Sequence, residues 1–549
     1  MKLRIGTRGS DLALWQAKFV GRGLESGGHE VELVVLVTRG DRIDDVPLQD
    51  VEGKAFFTKE IEDALLAGEV DLAVHSHKDL PVEGPADLII AAVPARASAG
   101  ERLLVAEDAH DPRAPFLPVR PGARVGTSSP RRREQVAALR PDLELLHLRG
   151  NVPTRVQRLR DGRYDAIVLA RAGLDRLALD TSGLFAFDPR SDLFVPAPGQ
   201  GALAVQARAR DERTISAVRA ALQDDESERL VRAERRLLSL AGGGCNLALG
   251  VTIEPARSGW RACVFRGPDA TDPGREPRWS VAASDDPELA ALEALGALDA
   301  GVACGGPLEG LRVVLTGTSA SAEDGSGLGH RLAALGADVR YERVLEVEDL
   351  DASRLRSAAR DLRAGDVVCV TSRRAARALA GVELPAGVRV AAVGPTTAKA
   401  LGDHGLRADV VGRAGALSLA RELLLSAGAR VLHPCGVDAL SELQDELESR
   451  DVAVRRVEVY RTRALPGVEL DPTADARVYL SPSSVLAALA WERAHGEAST
   501  QRVALGARTG AVLAVLGLPA FLPSADDLGV TDEVVRHLHE LLLRREASA

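Results

Sequence analysis

The stretch RVGTSSPRRREQVAAL, residues 124–139, predicts a short β-strand, a hydroxyl-rich turn and an α-helix in direct succession. Residues 124–126 are predicted to form the strand and residues 129–139 the helix. The succession continues with a strand over 143–148, a helix over 154–159 and a strand over 166–170. Alternation of this kind indicates an α/β fold with mostly parallel sheets.

The segments towards the N-terminus extend this pattern. Ser10 is the expected N-cap of the first helix, because its hydroxyl oxygen can accept from a backbone N–H group there. The region as a whole is expected to form two lobes that are joined near residues 95–100 and 195–200. The further strands and helices are predicted at residues 4–7, 11–24, 31–38, 59–67 and 70–75, with a long loop over 41–55.

Residues 218–300 depart from the pattern and predict a small α+β domain. A long helix over 226–241 leads into the loop Gly242-Gly243-Gly244-Cys245. Because glycines leave the backbone free and put no side chains beside the sulfur, this loop is expected to present an accessible thiol. A turn that happens to contain a cysteine is the alternative. The remaining elements are two strands and a helix at 250–253, 261–265 and 287–298.

A Gly/Pro-rich linker over 301–307 precedes a second α/β unit. Strand, Gly-x-x-Thr and helix recur there at 388–402 and 503–513, which suggests two related halves within 308–549. A Walker A loop is excluded, because it needs Gly-Lys-Ser/Thr whereas the one lysine of this unit, Lys399, follows alanine.

Composition disfavours several classes of protein. The 549 residues suffice for several domains, and five cysteines without a C-x-x-C pair argue against a disulfide framework and a structural zinc site. A net charge of −10 disfavours a general nucleic-acid binder. The sequence starts without an apolar signal region and has no run of about 18 apolar residues that could span a membrane. We therefore expect a soluble cytoplasmic protein with no nucleic-acid or membrane partner.

Cationic and hydroxyl side chains gather where the predicted strands end, which predicts an anion site in the cleft between the lobes. Three of the predicted strands are followed by such residues, at 7–8, 75–79 and 127–129. Ligands of α/β proteins bind at the carboxyl ends of the strands. The arginines at 131–133 oppose the dipole of the helix that they begin unless an anion compensates. Residues 148–155 add two arginines, whose forked guanidinium groups match carboxylates and phosphates. Solvated surface arginines are the alternative in a chain so rich in arginine.

Lysine is rare in this chain, since only six of the 69 basic residues are lysines. Lys54, Lys59 and Lys78 lie within one short region and are therefore candidates for a specific role. Asp79 lies among cations and should stay ionised, so its carboxylate suits an N–H donor or a positive intermediate. His75 and His77 have no third Cys or His ligand nearby, and no metal is expected.

A series of motifs in fixed order makes residues 1–300 resemble the hydroxymethylbilane synthase (porphobilinogen deaminase) family. Residues 308–549 resemble uroporphyrinogen-III synthase more diffusely. The first set is RIGTR (4–8), ALWQA (13–17), VTRGD (37–41), HSHKDLP (75–81), GTSSPRR (126–132), LRGNVPTR (148–155), PAPGQGA (196–202) and GGC (243–245). The second set is VTS (370–372), AVGPTTA (392–398), VYRT (459–462) and LSPS (480–483).

The resemblance implies an architecture of two-lobed α/β domains like those of periplasmic binding proteins, a small α+β third domain, and a two-lobed α/β uroporphyrinogen-III synthase-like unit. The implied boundaries are 1–97 with 197–217 for domain 1, 98–196 for domain 2, 218–300 for domain 3, 301–308 for the linker, and 309–549 for the synthase-like unit, whose lobes are about 309–343 with 464–549, and 344–463.

The resemblance further implies a transferase of porphyrin and haem biosynthesis. Four porphobilinogen molecules are joined with loss of ammonia to give hydroxymethylbilane, on a dipyrromethane cofactor held by a thioether to Cys245. Asp79 would hold pyrrole N–H groups and offset the charge of the azafulvene that forms. Cofactor binding is implied for Ser76, Lys78, Asp79, Thr127, Ser128, Ser129, Arg131, Arg132 and Arg155. Substrate binding is implied for Arg8, Ser10, Gln16, Lys54, Lys59, Arg149, Arg155 and Arg176.

For the second unit the resemblance implies a lyase that cyclises hydroxymethylbilane to uroporphyrinogen III. Tyr460 and Thr509 match its catalytic positions, and Thr371, Ser372 and Ser481 match positions around its substrate. A monomer with small-molecule partners is expected. An inactive or regulatory C-terminal half stays open, as does a two-lobed anion-binding protein without catalysis.

Overall fold

The computed structural model describes residues 1–37, 58–82, 84–243, 247–269, 272–299, 305–318, 328–412, 415–425, 428–494, 500–505, 507–523 and 530–548. Within these ranges the protein is a mixed α/β molecule with five β-sheets. The predicted α/β class is confirmed at that level.

The first 222 residues form two sheets of the same design. In chain order the elements are β1 (Lys2–Arg8), α1 (Asp11–Ser26), β2 (Glu30–Leu36), α2 (Lys59–Leu66), β3 (Leu72–Ser76), β4 (Leu88–Ala92), β5 (Glu101–Ala106), β6 (Arg124–Gly126), α3 (Pro130–Leu139), β7 (Glu144–Leu146), α4 (Val152–Arg160), β8 (Ala166–Ala170), α5 (Arg171–Leu177), β9 (Leu184–Phe187), β10 (Leu203–Arg208) and α6 (Glu212–Leu222). The strand orders are β2-β1-β3-β10-β4 and β7-β6-β8-β5-β9.

In each of these sheets four of the five strands run in the same direction, which agrees with the prediction of mostly parallel sheets, and one strand is reversed. Three neighbouring strands are parallel in each sheet, and the other two are attached by antiparallel pairing. The strands that reverse direction, β5 and β10, each follow a crossing between the two sheets. No crossover helix precedes them, so the geometry that makes successive strands parallel does not apply.

The two crossings touch each other through their backbones, in the regions predicted to join the lobes. The N–H group of Ala97 donates to the carbonyl oxygen of Gly201 at 3.2 Å. Gly201 has φ +84°, and a Cβ atom there would lie 2.5 Å from the carbonyl oxygen of Ala97. Only glycine permits both this conformation and this approach.

The next region consists of an antiparallel sheet covered by two helices. Its elements are α7 (Asp225–Leu240), β11 (Leu249–Pro255), β12 (Trp260–Arg266), β13 (Arg278–Ser284) and α8 (Pro287–Asp299), with strand order β11-β12-β13. Leu237 of α7, Val264 of β12 and Ala291 of α8 are buried in one core between sheet and helices.

The remainder of the chain forms two further sheets. Its elements are β14 (Arg312–Gly317), α9 (Leu328–Ala334), β15 (Asp338–Arg343), β16 (Leu345–Asp349), α10 (Ser353–Arg360), β17 (Val367–Val370), α11 (Arg373–Ala378), β18 (Arg389–Ala392), α12 (Pro395–Asp403), β19 (Val410–Val411), α13 (Ala416–Glu422), β20 (Val431–Gly436), α14 (Glu442–Glu448), β21 (Val454–Ala464), β22 (Ala476–Tyr479), α15 (Pro482–Ala494), β23 (Gln501–Ala504), α16 (Ala507–Val515) and α17 (Val530–Ser548). The strand orders are β15-β14-β22-β23, all parallel, and β16-β21-β20-β17-β18-β19, in which only β16 is antiparallel to its neighbour.

The predicted element limits differ from the observed ones by a few residues. The helix predicted from Ser129 begins at Pro130, because Ser129 itself has an extended backbone with φ −77° and ψ 121°. Each helix in the part of the chain that the structure describes is too short or too polar to cross a membrane.

Candidate active site

A lysine and an aspartate lie side by side in the turn after β3. Lys78 Nζ donates to Gln200 Oε1 at 3.0 Å, and Gln200 belongs to the second crossing. Burial lowers the pKa of Lys78 to about 8; Asp79 opposes this shift, whereas Arg132 and Arg131 add to it. Asp79 itself is exposed. The turn therefore combines a half-buried ammonium group with an accessible carboxylate.

The helix α3 begins with two buried arginines that share one carboxylate. Arg131 Nη2 donates to Glu101 Oε1 at 2.6 Å, and Arg132 Nη2 donates to Glu101 Oε2 at 2.7 Å. Burial would raise the pKa of Glu101, but Arg132 and Arg131 hold it down at about 2. The anion that the arginine-rich helix start requires is thus supplied in part by the protein, from β5.

Arg155 of α4 lies close to the same group of charges. Burial lowers its pKa to about 10, the cations Arg132 and Arg149 act in the same direction, and Asp79 opposes them. Its Nε atom donates to the carbonyl oxygen of Gly150 at 2.7 Å. The structure therefore brings together Lys78, Asp79, Arg131, Arg132, Arg149 and Arg155, with Glu101, in what we call the cationic cluster.

The predicted hydroxyl residues Thr127 and Ser128 bond largely to backbone groups. Ser128 Oγ donates to the carbonyl oxygen of Leu148 at 2.9 Å and accepts from its N–H group at 3.0 Å. Thr127 is buried, and its Oγ1 accepts from the N–H group of Ser129 at 3.4 Å. These contacts hold the two arginine-bearing turns against each other.

The strand ends of the first sheet meet near α1. Gln16 of α1 donates from Nε2 to Ser76 Oγ at 2.9 Å. Ser10 caps α1 by accepting from the N–H group of Ala13 at 3.4 Å. Arg8 lies at the end of β1, as the sequence predicted.

Arg176 reaches from α5 to the second crossing. Its Nη2 donates to the carbonyl oxygen of Gly201 at 2.7 Å, and its guanidinium lies 5.5 Å from the ring centroid of Trp15. Burial lowers its pKa to about 10, and its buried Nε has no hydrogen-bond partner among the described residues. This side chain therefore links the two sheets and keeps one donor unused.

Two residues of α7, which sequence reasoning missed, fix the surroundings of the cluster. Glu234 is fully buried and accepts from Arg96 at 2.8 and 2.9 Å and from the N–H group of Gly199 at 2.7 Å. Arg235 donates to the carbonyl oxygens of His77 and Leu80, both at 3.1 Å. The adjacent Glu-Arg pair before the glycine loop was a visible signal, but its side-chain partner Arg96 and the carbonyl groups of His77 and Leu80 are more than 130 residues away.

Some predicted residues cannot be placed. Lys54 and Cys245 lie outside the described residues. Lys59 begins α2, and its side chain is not among the described contacts of the cationic cluster.

His75 and His77 are buried, and burial lowers their pKa values to about 4 and 3. Where the structure describes the chain, no three His, Cys, Asp or Glu residues are grouped so as to hold a metal ion.

The second unit brings three of its five predicted residues together, with Thr371 and Ser372 directly after β17 and Tyr460 within β21. Thr371 Oγ1 lies 2.9 Å from Nε2 of His433, a residue of β20 that the sequence analysis did not single out. Tyr460 donates to Ser372 Oγ at 3.3 Å, and Ser372 caps α11. Burial lowers the pKa of His433 to about 4, so its imidazole is neutral at pH 7.

The other two predicted residues, Ser481 and Thr509, belong to the neighbouring sheet. Ser481 and Ser484 exchange hydrogen bonds of 3.2 Å at the start of α15. Thr509 of α16 is buried. Arg374 of α11 donates to Thr318 Oγ1 at 3.2 Å and so connects the two sheets of this unit.

The cationic cluster has the chemistry of a site for a ligand with several carboxylates. Five cations face two carboxylates there, and burial together with mutual repulsion lowers the pKa values of Lys78 and Arg155. An anionic ligand would offset the repulsion among these cations and raise both pKa values, because each added negative charge favours the charged form of these groups. The unpartnered Nε of Arg176 offers a further donor nearby.

Comparison with known proteins assigns both parts of the chain. A family model described as porphobilinogen deaminase, dipyrromethane cofactor binding domain, matches residues 3–216, and one described as uroporphyrinogen-III synthase HemD matches residues 327–527. The porphobilinogen deaminase of Rubrobacter xylanophilus is 46% identical over 266 residues, which cover 48% of this chain and 83% of that protein. That of a Roseiflexus species is 47% identical over 250 residues, covering 45% and 80%. A uroporphyrinogen-III synthase structure from Thermus thermophilus is 19% identical with a TM-score of 0.30, covering 42% and 99%.

Proposed function

The chain belongs to the porphobilinogen deaminase family and also carries a uroporphyrinogen-III synthase domain, and from this premise we propose how its residues divide the work of the two enzymes. It is a bifunctional enzyme of tetrapyrrole biosynthesis, with hydroxymethylbilane synthase and uroporphyrinogen-III synthase activities. The first activity joins four porphobilinogen molecules with loss of ammonia, and the second cyclises the product, hydroxymethylbilane.

The cofactor is dipyrromethane, and Cys245 is the proposed point of attachment. When bound, dipyrromethane supplies the pyrrole carbon to which the first substrate is joined. The position of Cys245 at the end of the loop after α7 supports this assignment, because Arg235 of α7 also holds the turn that carries Asp79. One helix thus leads towards Cys245 in the sequence and also holds the turn that carries Asp79.

The carboxylates of the cofactor are bound by the cationic cluster, chiefly by Lys78, Arg131, Arg132 and Arg155. Glu101 keeps Arg131 and Arg132 aligned by occupying one side of each guanidinium. The remaining N–H groups of such forked donors suit carboxylates of acetate and propionate side chains. Ser76 and Ser129 supply hydroxyls at the same strand ends, whereas Thr127 and Ser128 act by holding the turns in place.

Arg149 and Arg176 bind the incoming porphobilinogen together with Arg8, Ser10 and Gln16. The observation that supports Arg176 is its position between the sheets with a buried, unused N–H donor. Lys54 and Lys59 are proposed to cover the cleft, on the strength of the family resemblance alone.

Asp79 is the catalytic residue of the first reaction. It is the exposed carboxylate in the cationic cluster, and this single observation carries the proposal. As ammonia leaves porphobilinogen, positive charge develops on the substrate's methylene carbon, and a fixed carboxylate nearby stabilises that charge. The same oxygens accept hydrogen bonds from pyrrole N–H groups.

In the second unit, Thr371, Ser372 and Tyr460 face hydroxymethylbilane from one lobe, and Ser481 and Thr509 face it from the other. The hydrogen bond between Arg374 and Thr318 supports a cleft between these two sheets as the binding site.

We also infer the domain limits that the family resemblance implies. The two N-terminal lobes are organised like those of periplasmic binding proteins.

The covalent attachment decides between this enzyme and an anion-binding protein without catalysis. Intact-mass measurement of the purified chain should give a dipyrrole-sized addition, and Cys245→Ala should remove it. A Cys263→Ala variant is the matched control, because Cys263 is buried in β12 and should not affect the added mass. A wild-type chain without the addition, or an addition that persists in Cys245→Ala, would overturn the assignment of Cys245.

A further inference from the structure

We propose that the synthase unit is docked on the deaminase through a fixed interface, so that the linker is not what holds the two enzymes in position. The interface joins the loop between β5 and β6 and the end of α3 to α9 and α17. It also joins β13 to the residues that enter the synthase unit. We call it the docking interface, and its described members are Phe116, Leu139, Val281, Gly305, Arg331 and His539.

Phe116 is the anchor on the deaminase side. It lies in the loop between β5 and β6, which is rich in proline, and is 5% exposed; its ring centroid lies 4.7 Å from that of His539 in α17. Its φ angle is +60°, in the left-handed region that a bulky side chain rarely adopts. Such a conformation persists only where the surroundings hold it, and here the surroundings include the other enzyme.

The C-terminal helix α17 is shared between the two units. His537 stacks on Phe521 of the synthase unit at a centroid distance of 4.0 Å, whereas His539 contacts Phe116. Residues two positions apart in a helix point to nearly opposite sides, since each residue turns the helix by about 100°. With Leu538 fully buried between them, α17 lies between its own sheet and the deaminase.

The docking interface reaches two separate parts of the deaminase. Arg331 Nη2 of α9 donates to the carbonyl oxygen of Leu139 at 3.5 Å. Gly305 lies against β13, and a Cβ atom at this position would be 2.7 Å from the backbone nitrogen of Val281. Burial raises the pKa of Glu309, and Asp192 raises it further while Arg261 opposes the change, so a charged group of the entering segment also faces the deaminase.

The apolar core is continuous across the docking interface. One cluster of buried side chains contains Leu117 of the proline-rich loop, Trp279 of β13 and Leu335 after α9. A tether between two independent enzymes would leave water between such surfaces, whereas these side chains are at most 1% exposed. The synthase unit is thus packed like a further domain of the deaminase.

Lengthening the linker tests the proposal on the full chain. An insertion of 20 Gly/Ser residues after Gly301 would let tethered units separate by a root-mean-square distance of about 25 Å. If the units are docked, the radius of gyration from small-angle X-ray scattering changes only by the contribution of the inserted residues. A rise of several ångströms in the otherwise wild-type chain would overturn the proposal.

The anchor is tested in the same long-linker background. Phe116→Glu should release the synthase unit and raise the radius of gyration, and Phe116→Gly should do so too while accommodating the positive φ. Leu486→Glu is the control, because Leu486 is an apolar side chain of α15 that is 57% exposed. Retained consumption of porphobilinogen shows that each variant is folded. Both Phe116 variants staying as compact as the control would exclude Phe116 as the anchor.

Discussion

Asp79 differs from the other acidic residue of the cationic cluster by its access to solvent. Glu101 is buried beneath Arg131 and Arg132, whereas Asp79 is exposed and faces Arg155 and Lys78. We therefore propose different tasks for the two carboxylates, with Glu101 building the site and Asp79 acting in the reaction.

Asp79→Asn should retain the dipyrromethane addition and bind porphobilinogen, but kcat should fall on the order of 10²-fold or more, because an amide does not offset positive charge. Steady-state kinetics with intact-mass measurement checks this. Asp87→Asn, at an exposed aspartate paired with Arg210, is the control and should keep its rate. A near-normal kcat in Asp79→Asn would remove the residue from the mechanism.

Glu101→Gln should lower the free energy of unfolding by about 3–5 kcal/mol, because it leaves two buried arginines without their anion. Asp188→Asn breaks a more exposed pair with Arg102 and should change it by about 1 kcal/mol or less. Urea unfolding at pH 7 measures both. Since the folded pKa of Glu101 is about 2, below its ordinary value of 4.5, its stabilisation is present above pH 4.5 and is lost as the pH falls towards 2. Glu101→Gln should lack this loss of stability at low pH. A free energy of unfolding that depends on pH as in the wild-type protein would contradict the role given to Glu101.

At this scale the sequence predicted the cations and that an anion must accompany them, but not which anion. Glu101 lies 30 positions before Arg131, on a strand that the sequence patterns did not reveal. The contact depends on antiparallel pairing of β5 with β8, which is a property of the tertiary fold. The pattern of apolar and polar residues within one segment does not indicate which distant residue will pair with it.

The helix α7 precedes the glycine loop in the sequence and contacts both the crossings and the Asp79 turn. Glu234 holds both crossings, through Arg96 and the N–H group of Gly199, and Arg235 holds the turn from the opposite direction. The extent of α7 was predicted from the sequence almost to its ends. The contacts that it makes were not predicted, because hydrogen bonds to distant backbone carbonyls have no effect on the spacing of apolar residues.

Arg235→Gln should reduce kcat roughly 10²-fold with a smaller effect on KM, since a displacement of about 1 Å at the Asp79 turn is enough for such a loss. Arg236→Gln is the matched control, because the neighbouring Arg236 is 58% exposed and pairs with Glu288 on the surface. Equal kinetics in the two variants would show that the hydrogen bonds of Arg235 to the turn do not position Asp79.

The whole molecule has a net charge of −10, yet it binds substrates that carry carboxylates. The distant charges repel such substrates and the cationic cluster attracts them. Salt weakens exposed interactions beyond a Debye length of about 10 Å at 0.1 M, so ionic strength affects the two contributions in opposite directions.

If the cationic cluster dominates, the KM for porphobilinogen should rise severalfold between 0.05 and 0.5 M NaCl, as local attraction is screened. In Arg149→Gln the rise should be smaller, because one of the attracting charges is gone. Initial-rate measurements at fixed pH provide the test. A KM that falls with salt would mean that the net charge governs encounter with the substrate.

For the whole chain, motifs in fixed order indicated the first family and a more diffuse resemblance indicated the second, and the comparisons confirm both. The direction of β5 and β10 and the docking of the synthase unit were not predictable. Both arise from contacts between segments far apart in sequence, whereas patterns of apolar residues report only that a face is buried.

The contact of Gly201 with Ala97 has a consequence for the lengths of the two crossings. Arg96 Nε bonds to the carbonyl oxygen of Gln200 at 2.9 Å, and Gln200 Nε2 bonds to that of Ala99 at 2.7 Å, so the segments are matched residue by residue. Two hydrogen-bonded segments can bend together but resist sliding past each other. One added or deleted residue in either crossing would move Lys78's partner Gln200 out of place, so the two crossings must keep their lengths jointly and keep glycine at position 201.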